Sequence, residues 1–333
     1  MMSMPAGNER ATPLPFDLVR EELRQVDELL LQETWSAVSI VRDISHHILG
    51  AGGKRLRPAL LLTTARAAGY QGDWAIRLAL CMELLHTATL MHDDVLDHSD
   101  WRRGRVTAHR RWGQSASILT GDAMFARAMR ILVDYGSLPI LNAVTSAVIR
   151  VCEGEVMEIA LHGDLDIAPE TYLRVIDAKT AALISVCCQT GGMLGQTTPA
   201  QIEALSTFGF HLGMAFQMVD DLLDFTAKRE RWGRPAGEDL KEGRITLPVI
   251  YTLQRATPAD RERLRTILNT PSAAVEHMDE VLSLLHRYGG FEAARADAIA
   301  HTRAARESLL ALPASAARDA LAALADFVVA RDQ

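Results

Sequence analysis

The chain has 333 residues, of which 48% are hydrophobic and 23% charged, a balance typical of globular proteins rather than disordered ones. Its formal net charge of −7 argues against a general nucleic-acid-binding protein, because such proteins carry an excess of basic residues. We expect no apolar run as long as a membrane span, and the N-terminus lacks the apolar stretch of a signal peptide. These features predict a cytoplasmic protein without an integral membrane segment.

The four cysteines lie in apolar, helix-forming stretches and lack the spacing of a metal site. We therefore expect buried, reduced thiols, as is usual in a cytoplasmic protein. The cysteines are Cys81, Cys152, Cys187 and Cys188.

Residues 1–14 are predicted to form a flexible tail and residues 15–333 a single domain. Apolar residues at helical spacing predict the first two helices over 15–33 and 35–49. The basic stretch GAGGKRLRP follows, in which a flexible glycine turn at Gly53 precedes Lys54, Arg55 and Arg57. It could bind a diphosphate or be an ordinary basic loop between helices. It is not a Walker loop, because the Lys-Ser/Thr ending and the preceding strand are missing.

The predicted helix over 73–98 carries the first conspicuous motif, Asp93, Asp94 and Asp97. Asp93 and Asp97 are one turn apart, and Asp94 lies between them in angle. One helix face thus carries up to three negative charges, which repel one another unless a cation binds there. Oxygen ligands suit Mg²⁺. Arg102 and Arg103 follow the motif in sequence, and the guanidinium group of an arginine can bind two phosphate oxygens at once. The alternative is a solvated acidic helix end.

His86 lies seven residues before Asp93, two turns away on nearly the same face. It could donate a hydrogen bond to a phosphate or be a hydrogen-bonded core histidine, and the spacing alone does not decide between them. We interpret the other histidines near these motifs as structural: His46, His47, His92, His98 and His109.

Further helices are predicted over 115–134, 138–162 and 169–191. The second of them contains three glutamates, which we assign to its polar face. They are Glu153, Glu155 and Glu158. In the third, Lys179 and Thr180 interrupt an apolar run, so the lysine extends to solvent or is directed at an anion in a cavity.

A second aspartate motif with the same spacing ends the predicted helix over 199–226, at Asp220, Asp221 and Asp224. Two such motifs on facing helices would form a polynuclear metal site inside a helical bundle. The polar loop that follows, RERWGRPAGEDLKEGRITLP, contains Arg234 and Arg244 and is typical of a lid beside such a site.

Residues 245–331 predict further helices, and few stretches show the alternation of strands. The expected architecture is all-α, a single bundle of about 11–13 helices around a central cavity.

Both aspartate motifs, the GGKRLRP stretch and the polar loop occur in the order seen in trans-prenyl diphosphate synthases (polyprenyl synthetases), and the chain resembles that family from about residue 45 to 255. The resemblance implies the isoprenoid synthase fold, a homodimer and Mg²⁺ as cofactor, with roughly three ions per active site. It further implies head-to-tail condensation of isopentenyl diphosphate with an allylic diphosphate.

By motif match, the resemblance makes Asp93, Asp97 and Asp220 the principal Mg²⁺ ligands, supported by the other three aspartates. It implies contacts to isopentenyl diphosphate from Gly53, Lys54, Arg57, His86 and Arg103. It implies contacts to the allylic diphosphate from Arg102, Lys179, Thr180 and Gln217, with Arg234 and Arg244 in the lid. Lysines are common in the family where those two arginines stand, so their detailed roles are open.

The resemblance also suggests that the product grows along the first motif helix toward its N-terminus. Ala88 and Thr89 lie about 6–8 Å from Asp93 along the axis, and Leu85 lies deeper. Short-chain members often have aromatic residues at this level as a floor. The small residues here favour a product of about C30–C50 for a quinone side chain, with geranylgeranyl diphosphate as the main competitor.

Other classes are disfavoured by the same residues. A terpene cyclase usually lacks two such motifs together with GGKRLRP. A non-catalytic partner subunit would be expected to have lost some aspartates or arginines. The catalytic subunit of a heteromeric synthase and a helical binding protein with acidic patches are further alternatives.

Overall fold

The computed structural model describes residues 16–195, 197–226 and 237–330. The N-terminal half is a succession of helices with one short interruption. The α-helices are α1 (Arg20–Glu33), α2 (Ser39–Leu49), α3 (Leu56–Ala67), α4 (Trp74–Leu96), α5 (Ala108–Trp112), α6 (Gln114–Tyr135) and α7 (Leu138–Ala160). A 3₁₀ turn, Asp17–Val19, precedes α1. Two short antiparallel strands between α4 and α5, β1 (Trp101–Arg102) and β2 (Arg105–Val106), pair Trp101 with Val106.

The second half continues in the same way. Its helices are α8 (Pro169–Ile176), α9 (Ala182–Leu194), α10 (Pro199–Thr226), α11 (Glu238–Lys241), α12 (Leu247–Arg255), α13 (Pro258–Leu268), α14 (Pro271–Glu276), α15 (Met278–Arg287), α16 (Gly290–Ser308) and α17 (Ala316–Ala330). A π-helical segment, Asp177–Ala181, joins α8 to α9, and a 3₁₀ turn, Leu309–Ala311, follows α16. The all-α prediction is confirmed, since the described ranges are almost entirely helical.

Helix α4 lies at the centre of the bundle, packed against α3 and α6. Its buried residues include Leu78, Leu80 and Cys81, which face different directions around the helix, so it is apolar on nearly all sides. By length and hydropathy it is the one helix in the described ranges that could cross a membrane, contrary to the expectation from the sequence. However, 67% of its apolar window is buried inside the protein, as in the core helix of a bundle.

Glycines bring α10 close to its neighbours. A Cβ at Gly213 would lie 2.6 Å from the Cα of Ala181, and one at Gly209 would lie 2.7 Å from the Cα of Ser185. Because these approaches leave no room for a side chain, the glycines set the spacing of α10 against the π-helical segment and α9. This spacing positions the second aspartate motif relative to Lys179.

The cysteine prediction holds for three of the four thiols. Cys81, Cys187 and Cys188 are buried, whereas Cys152 is exposed, and all four are free. The sequence misplaced Cys152 because α7 carries apolar residues on its outer surface as well, including Ile149 and Val156.

Candidate functional site

The first aspartate motif lies at the C-terminal end of α4. Asp94 is buried and accepts a hydrogen bond from Nε of Arg102, so its charge is neutralised within the fold. Asp93 is half-buried, and burial together with the nearby Glu155 carboxylate raises its pKa to about 7. Asp97 caps the helix. The three carboxylates therefore have different surroundings despite their common helix face.

The β1–β2 hairpin places two arginines beside this motif. Arg102 is directed at Asp94, while Arg103, at φ 51°, donates from Nη1 to the carbonyl oxygen of Gly52. A Cβ at Gly53 would lie 2.9 Å from that Nη1 atom, so a side chain there would displace Arg103. The glycine turn thus accepts a hydrogen bond from Arg103 of the hairpin and leaves room for its guanidinium group.

The basic side chains of the GGKRLRP stretch, Lys54, Arg55 and Arg57, which we call the basic cradle, fall into two sets. Arg55, in a left-handed conformation at φ 49°, donates to Glu83 and Asp27 at 2.6 Å each, so it is tied to acidic side chains. Within the described residues the buried Nε of Arg57 has no hydrogen-bond partner. Burial lowers the pKa of Arg57, and an unpaired buried donor is costly unless an anion binds it. The Lys54 side chain is exposed to solvent.

His86 lies close to this basic group. Burial lowers the pKa of His86 well below its ordinary value, and the charges of Arg57 and Arg103 lower it further. The imidazole is therefore neutral, and one of its ring nitrogens can still donate to a phosphate oxygen. This arrangement favours the phosphate interpretation over the core histidine, because the charges of four arginines, Arg55, Arg57, Arg102 and Arg103, act on this imidazole.

Lys179 and Thr180 stand on the π-helical segment, a geometry that often occurs at functional sites. Nζ of Lys179 donates to Glu155 at 3.0 Å and also to Glu158. Burial alone would lower the pKa of Lys179, but the Glu158 and Glu155 carboxylates raise it above its ordinary value. The polar-face assignment is wrong for both glutamates, because α7 turns them toward the lysine, whereas Glu153 is exposed.

A chain of hydrogen bonds connects Thr180 to the second aspartate motif. Oγ1 of Thr180 donates to Gln217 at 2.8 Å, and Nε2 of Gln217 donates to Oδ1 of Asp221 at 2.8 Å. The hydroxyl of Tyr172 donates to the other oxygen of Asp221. Burial raises the pKa of Asp221 well above its ordinary value, and the Asp239 carboxylate adds to the rise. Asp221 is thus a buried, fully hydrogen-bonded carboxyl.

The part of the polar loop that the structure describes, from Gly237 onward, packs against Asp224. The backbone N–H groups of Glu238 and Asp239 donate to its two carboxylate oxygens at 3.2 and 3.1 Å. Burial and Asp239 together raise the pKa of Asp224 to about 7. Arg244 donates from Nε and Nη2 to Asp239 at 3.0 and 2.8 Å, and its Nη1 lies 3.7 Å from Oδ2 of Asp97. Arg244 therefore links the loop to the first aspartate motif.

These elements surround one cleft of about 1010 Å³, part of it open to solvent. Eight predicted site residues line it together: Asp93, Asp97, Arg102, Lys179, Thr180, Gln217, Asp221 and Arg244. Five further polar residues that we did not single out as site residues also line it, namely Glu158, His162, Tyr172, Asp239 and Thr246. The only sequence signal for them was their position in or near a motif. Apolar side chains form the rest of the wall, including Leu90, Leu161, Val175, Ile176 and Ile245.

Other predicted residues lie around this cleft rather than in its wall. Asp220 and Asp224 are half-buried on α10. Of the second motif, Asp221 is the aspartate that lies among the described residues of the cleft wall. Asp94, Arg102 and Arg103 also line a smaller pocket beside the hairpin. Arg234 lies outside the described residues.

The product-length residues are inside α4 but not in the cleft as it stands. Leu85 and Ala88 are each 2% exposed, and Oγ1 of Thr89 donates to the carbonyl of His86. Within the described residues, the cleft reaches down α4 only as far as Leu90. The tunnel past Ala88 remains a prediction.

The donor set fits a hard cation. It consists of carboxylate oxygens from two helices. In the described ranges, no group of three His, Cys, Asp or Glu side chains lies close enough together to hold a metal ion without other ligands. Mg²⁺ is usually held by one or two carboxylates with water and substrate phosphates, so this arrangement suits a metal that arrives with a phosphorylated substrate.

Comparison with known proteins places the chain among enzymes of this chemistry. The family model described as Polyprenyl synthetase matches residues 38–285. Octaprenyl diphosphate synthase of Escherichia coli (strain K12) is 37% identical over 317 residues, covering 95% of this chain and 98% of that protein. A short chain isoprenyl diphosphate synthase of Methanothermobacter thermautotrophicus is also 37% identical, over 323 residues covering 95% of this chain and 98% of that protein.

A solved structure supports the same assignment. The polyprenyl synthase from Caulobacter crescentus CB15, complexed with calcium and isoprenyl diphosphate, superposes with a TM-score of 0.89. It is 35% identical in sequence, and the match covers 97% of this chain and 100% of that one. The predicted isoprenoid synthase fold is thereby confirmed.

Proposed function

The chain belongs to the polyprenyl synthetase family, and we propose that it is a Mg²⁺-dependent prenyltransferase that condenses isopentenyl diphosphate head-to-tail with an allylic diphosphate. The observation that carries this proposal is the single cleft in which residues of both aspartate motifs meet Lys179, Arg102 and Arg244. Carboxylates for a metal and cations for a diphosphate are there combined beside an apolar wall.

The allylic diphosphate would occupy the cationic side of the cleft. Lys179, Arg102 and Arg244 supply positive charge, while Thr180 and Gln217 supply polar contacts. In the proposed reaction the allylic carbon–oxygen bond breaks, and these groups stabilise the negative charge that develops on the leaving diphosphate. Bound Mg²⁺, roughly three ions per site, would add to this stabilisation, with Asp93, Asp97 and Asp220 as its ligands.

Isopentenyl diphosphate would bind at the basic cradle. Nε of Arg57, which has no partner in the part of the chain that the structure describes, and the neutral His86 offer donors to its phosphate oxygens, and Lys54 and Arg103 contribute charge. The double bond of this substrate would then attack the allylic carbon, and a proton would be lost. We assign no protein base to this step, and the released diphosphate is the proposed proton acceptor.

The apolar wall of the cleft protects the positively charged allylic carbon from water. Leu90, Leu161 and Ile245 contribute hydrocarbon surface near the motif ends. We propose a product of about C30–C50 that passes Ala88 and Thr89 and serves as a quinone side chain. The octaprenyl synthase of Escherichia coli and the short-chain archaeal synthase are equally identical to this protein, so overall identity does not decide between this length and geranylgeranyl diphosphate.

We propose that the enzyme is a cytoplasmic homodimer with no nucleic-acid partner. Exposed apolar side chains on α6 and α7 support an interface between two copies, because they would be buried when these helices pack against a second chain. They include Leu119, Val133, Ile149, Val156 and Ile159, which are 56–66% exposed. The catalytic subunit of a heteromeric synthase is the alternative assembly.

The direct test is to incubate the purified chain alone with Mg²⁺, labelled isopentenyl diphosphate and farnesyl diphosphate, and to resolve the products by mass. We expect a long product of about C40. A product that stops at C20 would support the geranylgeranyl alternative. If no product forms, although diphosphate binds in a Mg²⁺-dependent way, the chain requires a second subunit. Failure of Mg²⁺ and diphosphate to bind together would contradict the proposal.

A further inference from the structure

Lys179, a cation of the cleft, is paired with two carboxylates. Nζ of Lys179 contacts both Glu155, at 3.0 Å, and Glu158. All three side chains are shielded, with exposures of 23%, 14% and 25% respectively, so the charges interact with limited screening by water. A single ammonium between two carboxylates leaves this part of the site with a net negative charge.

The two carboxylates differ in what else they face. Glu158 lines the cleft together with Asp221 and Arg244, whereas Glu155 is absent from the described residues of that wall. Glu158 is therefore the partner of Lys179 that an entering ligand meets.

We propose that Glu158 is a positioning residue that holds Lys179 in the diphosphate-free site and competes with diphosphate for it. Glu155 remains the permanent counter-ion of the lysine, while Glu158 gives way when diphosphate binds. This inference rests on the proposed function, since it takes Lys179 to be a contact of the allylic diphosphate.

The physical consequence concerns the order of binding. A metal-free diphosphate carries several negative charges, and the Glu158 carboxylate repels it from the lysine it needs. Mg²⁺ lowers the charge of the ligand and can also relieve the repulsion between the cleft carboxylates. Glu158 thus makes capture by Lys179 conditional on the metal, which discourages unproductive binding of free diphosphate.

The test is a calorimetric titration of the full-length protein with inorganic pyrophosphate, in EDTA and in Mg²⁺. In EDTA, Glu158→Gln is expected to bind pyrophosphate about tenfold more tightly than wild type, as expected for removing one partly screened like charge. In Mg²⁺ the gain should be smaller. In steady state, KM for the allylic diphosphate should fall while kcat changes less. Thermal unfolding of each variant establishes that it is folded.

Matched variants separate this role from simple packing. Glu153→Gln changes an exposed glutamate of the same helix and should behave like wild type. Glu155→Gln leaves the Lys179–Glu158 pair intact and should give a smaller gain than Glu158→Gln. Adding Lys179→Gln to Glu158→Gln should abolish the gain.

The inference is overturned if Glu158→Gln binds pyrophosphate in EDTA no more tightly than wild type, or more weakly, because a glutamate that only supports the lysine would give that result. Equal gains from Glu155→Gln and Glu158→Gln would overturn the division of roles. The titration needs no turnover, so it stays decisive even if wild type makes no polyprenyl product, a result that would bear on the proposed function instead.

Discussion

The two aspartate motifs have the same spacing, but the fold surrounds them with different partners. In the first motif, Asp94 is neutralised by an arginine from the hairpin. In the second, Asp221 is held by the neutral donors Tyr172 and Gln217, and Asp224 by backbone N–H groups. Spacing therefore specifies that carboxylates meet at a helix end, whereas the surrounding elements decide which of them remain charged and available.

The largest expected effect comes from removing a proposed metal ligand of the first motif. Asp93→Ala should lower turnover by about 10²–10³-fold or more, because the charge on the leaving diphosphate loses stabilisation, while the fold remains intact. Steady-state prenyl transfer and circular dichroism measure the two quantities. Asp134→Ala, at an exposed aspartate paired with Arg130, is the control. Turnover like that of wild type in Asp93→Ala would rule out the proposed site.

The second motif can be tested by removing a neutral hydrogen-bond donor, the Tyr172 hydroxyl, that contacts Asp221. Tyr172→Phe removes the hydroxyl that donates to buried Asp221, a loss that we expect to lower kcat by about tenfold and the melting temperature by a few degrees. Tyr288→Phe removes a similar tyrosine–carboxylate bond, to Asp260, and neither of these residues lines the cleft, so kcat should be unchanged. If the two variants behave alike, Tyr172 is not a support of the site.

The pKa values of about 7 for Asp93 and Asp224 predict how metal-free stability depends on pH. Each folded-state value lies above the ordinary 3.8, so the folded protein binds more protons than the unfolded one between pH 4 and 7. Their contribution to stability is therefore present at low pH and lost as pH rises through about 7. In EDTA, Asp93→Asn should melt about 2 °C or more above wild type at pH 8, with a smaller difference at pH 5.

Asp224→Asn should show the same trend, because its carboxyl is raised to a similar value by burial and by Asp239. Asp134→Asn, on the surface, is the control. A stabilisation by Asp93→Asn that is independent of pH would contradict the assignment of a protonated carboxyl.

The smallest expected effect on rate, but a visible one on product length, concerns the part of α4 that precedes the first motif. Ala88→Phe should shorten the product while condensation continues, because the ring would close the predicted tunnel. Mass analysis of the products measures the change, and Ala88→Val, a smaller enlargement, should shorten the product less or not at all. An unchanged product length in Ala88→Phe would refute this placement of the tunnel.

The sequence predicted most of the helices and both motifs because apolar periodicity and local spacing are properties of single helices. The helix over 199–226 was predicted with its observed limits, Pro199–Thr226. The hairpin was missed since each of its strands has two residues, too few for an alternating pattern. The π-helical segment was merged into a continuous helix, because its sequence, DAKTA, is that of an ordinary helical turn.

Ion pairs between elements were beyond the reach of the sequence. Glu155 and Glu158 read as polar-face residues, and only the packing of α7 against the π-helical segment shows that they face Lys179. Gly154 permits this packing, since a Cβ there would lie 2.8 Å from the backbone nitrogen of Lys179. The sequence likewise did not distinguish Arg55 from its basic neighbours. In the structure its left-handed backbone directs its side chain to Glu83.

The proposed function requires the two motifs to act on one diphosphate. A double-mutant cycle on Mg²⁺-dependent pyrophosphate binding, with Asp93→Asn and Asp220→Asn, measures whether they do. We predict that each single variant loses most of the affinity and that the double variant loses little more, giving a coupling energy of about 1 kcal/mol or greater. Losses that simply add would mean that the motifs bind independently, and would contradict a shared site.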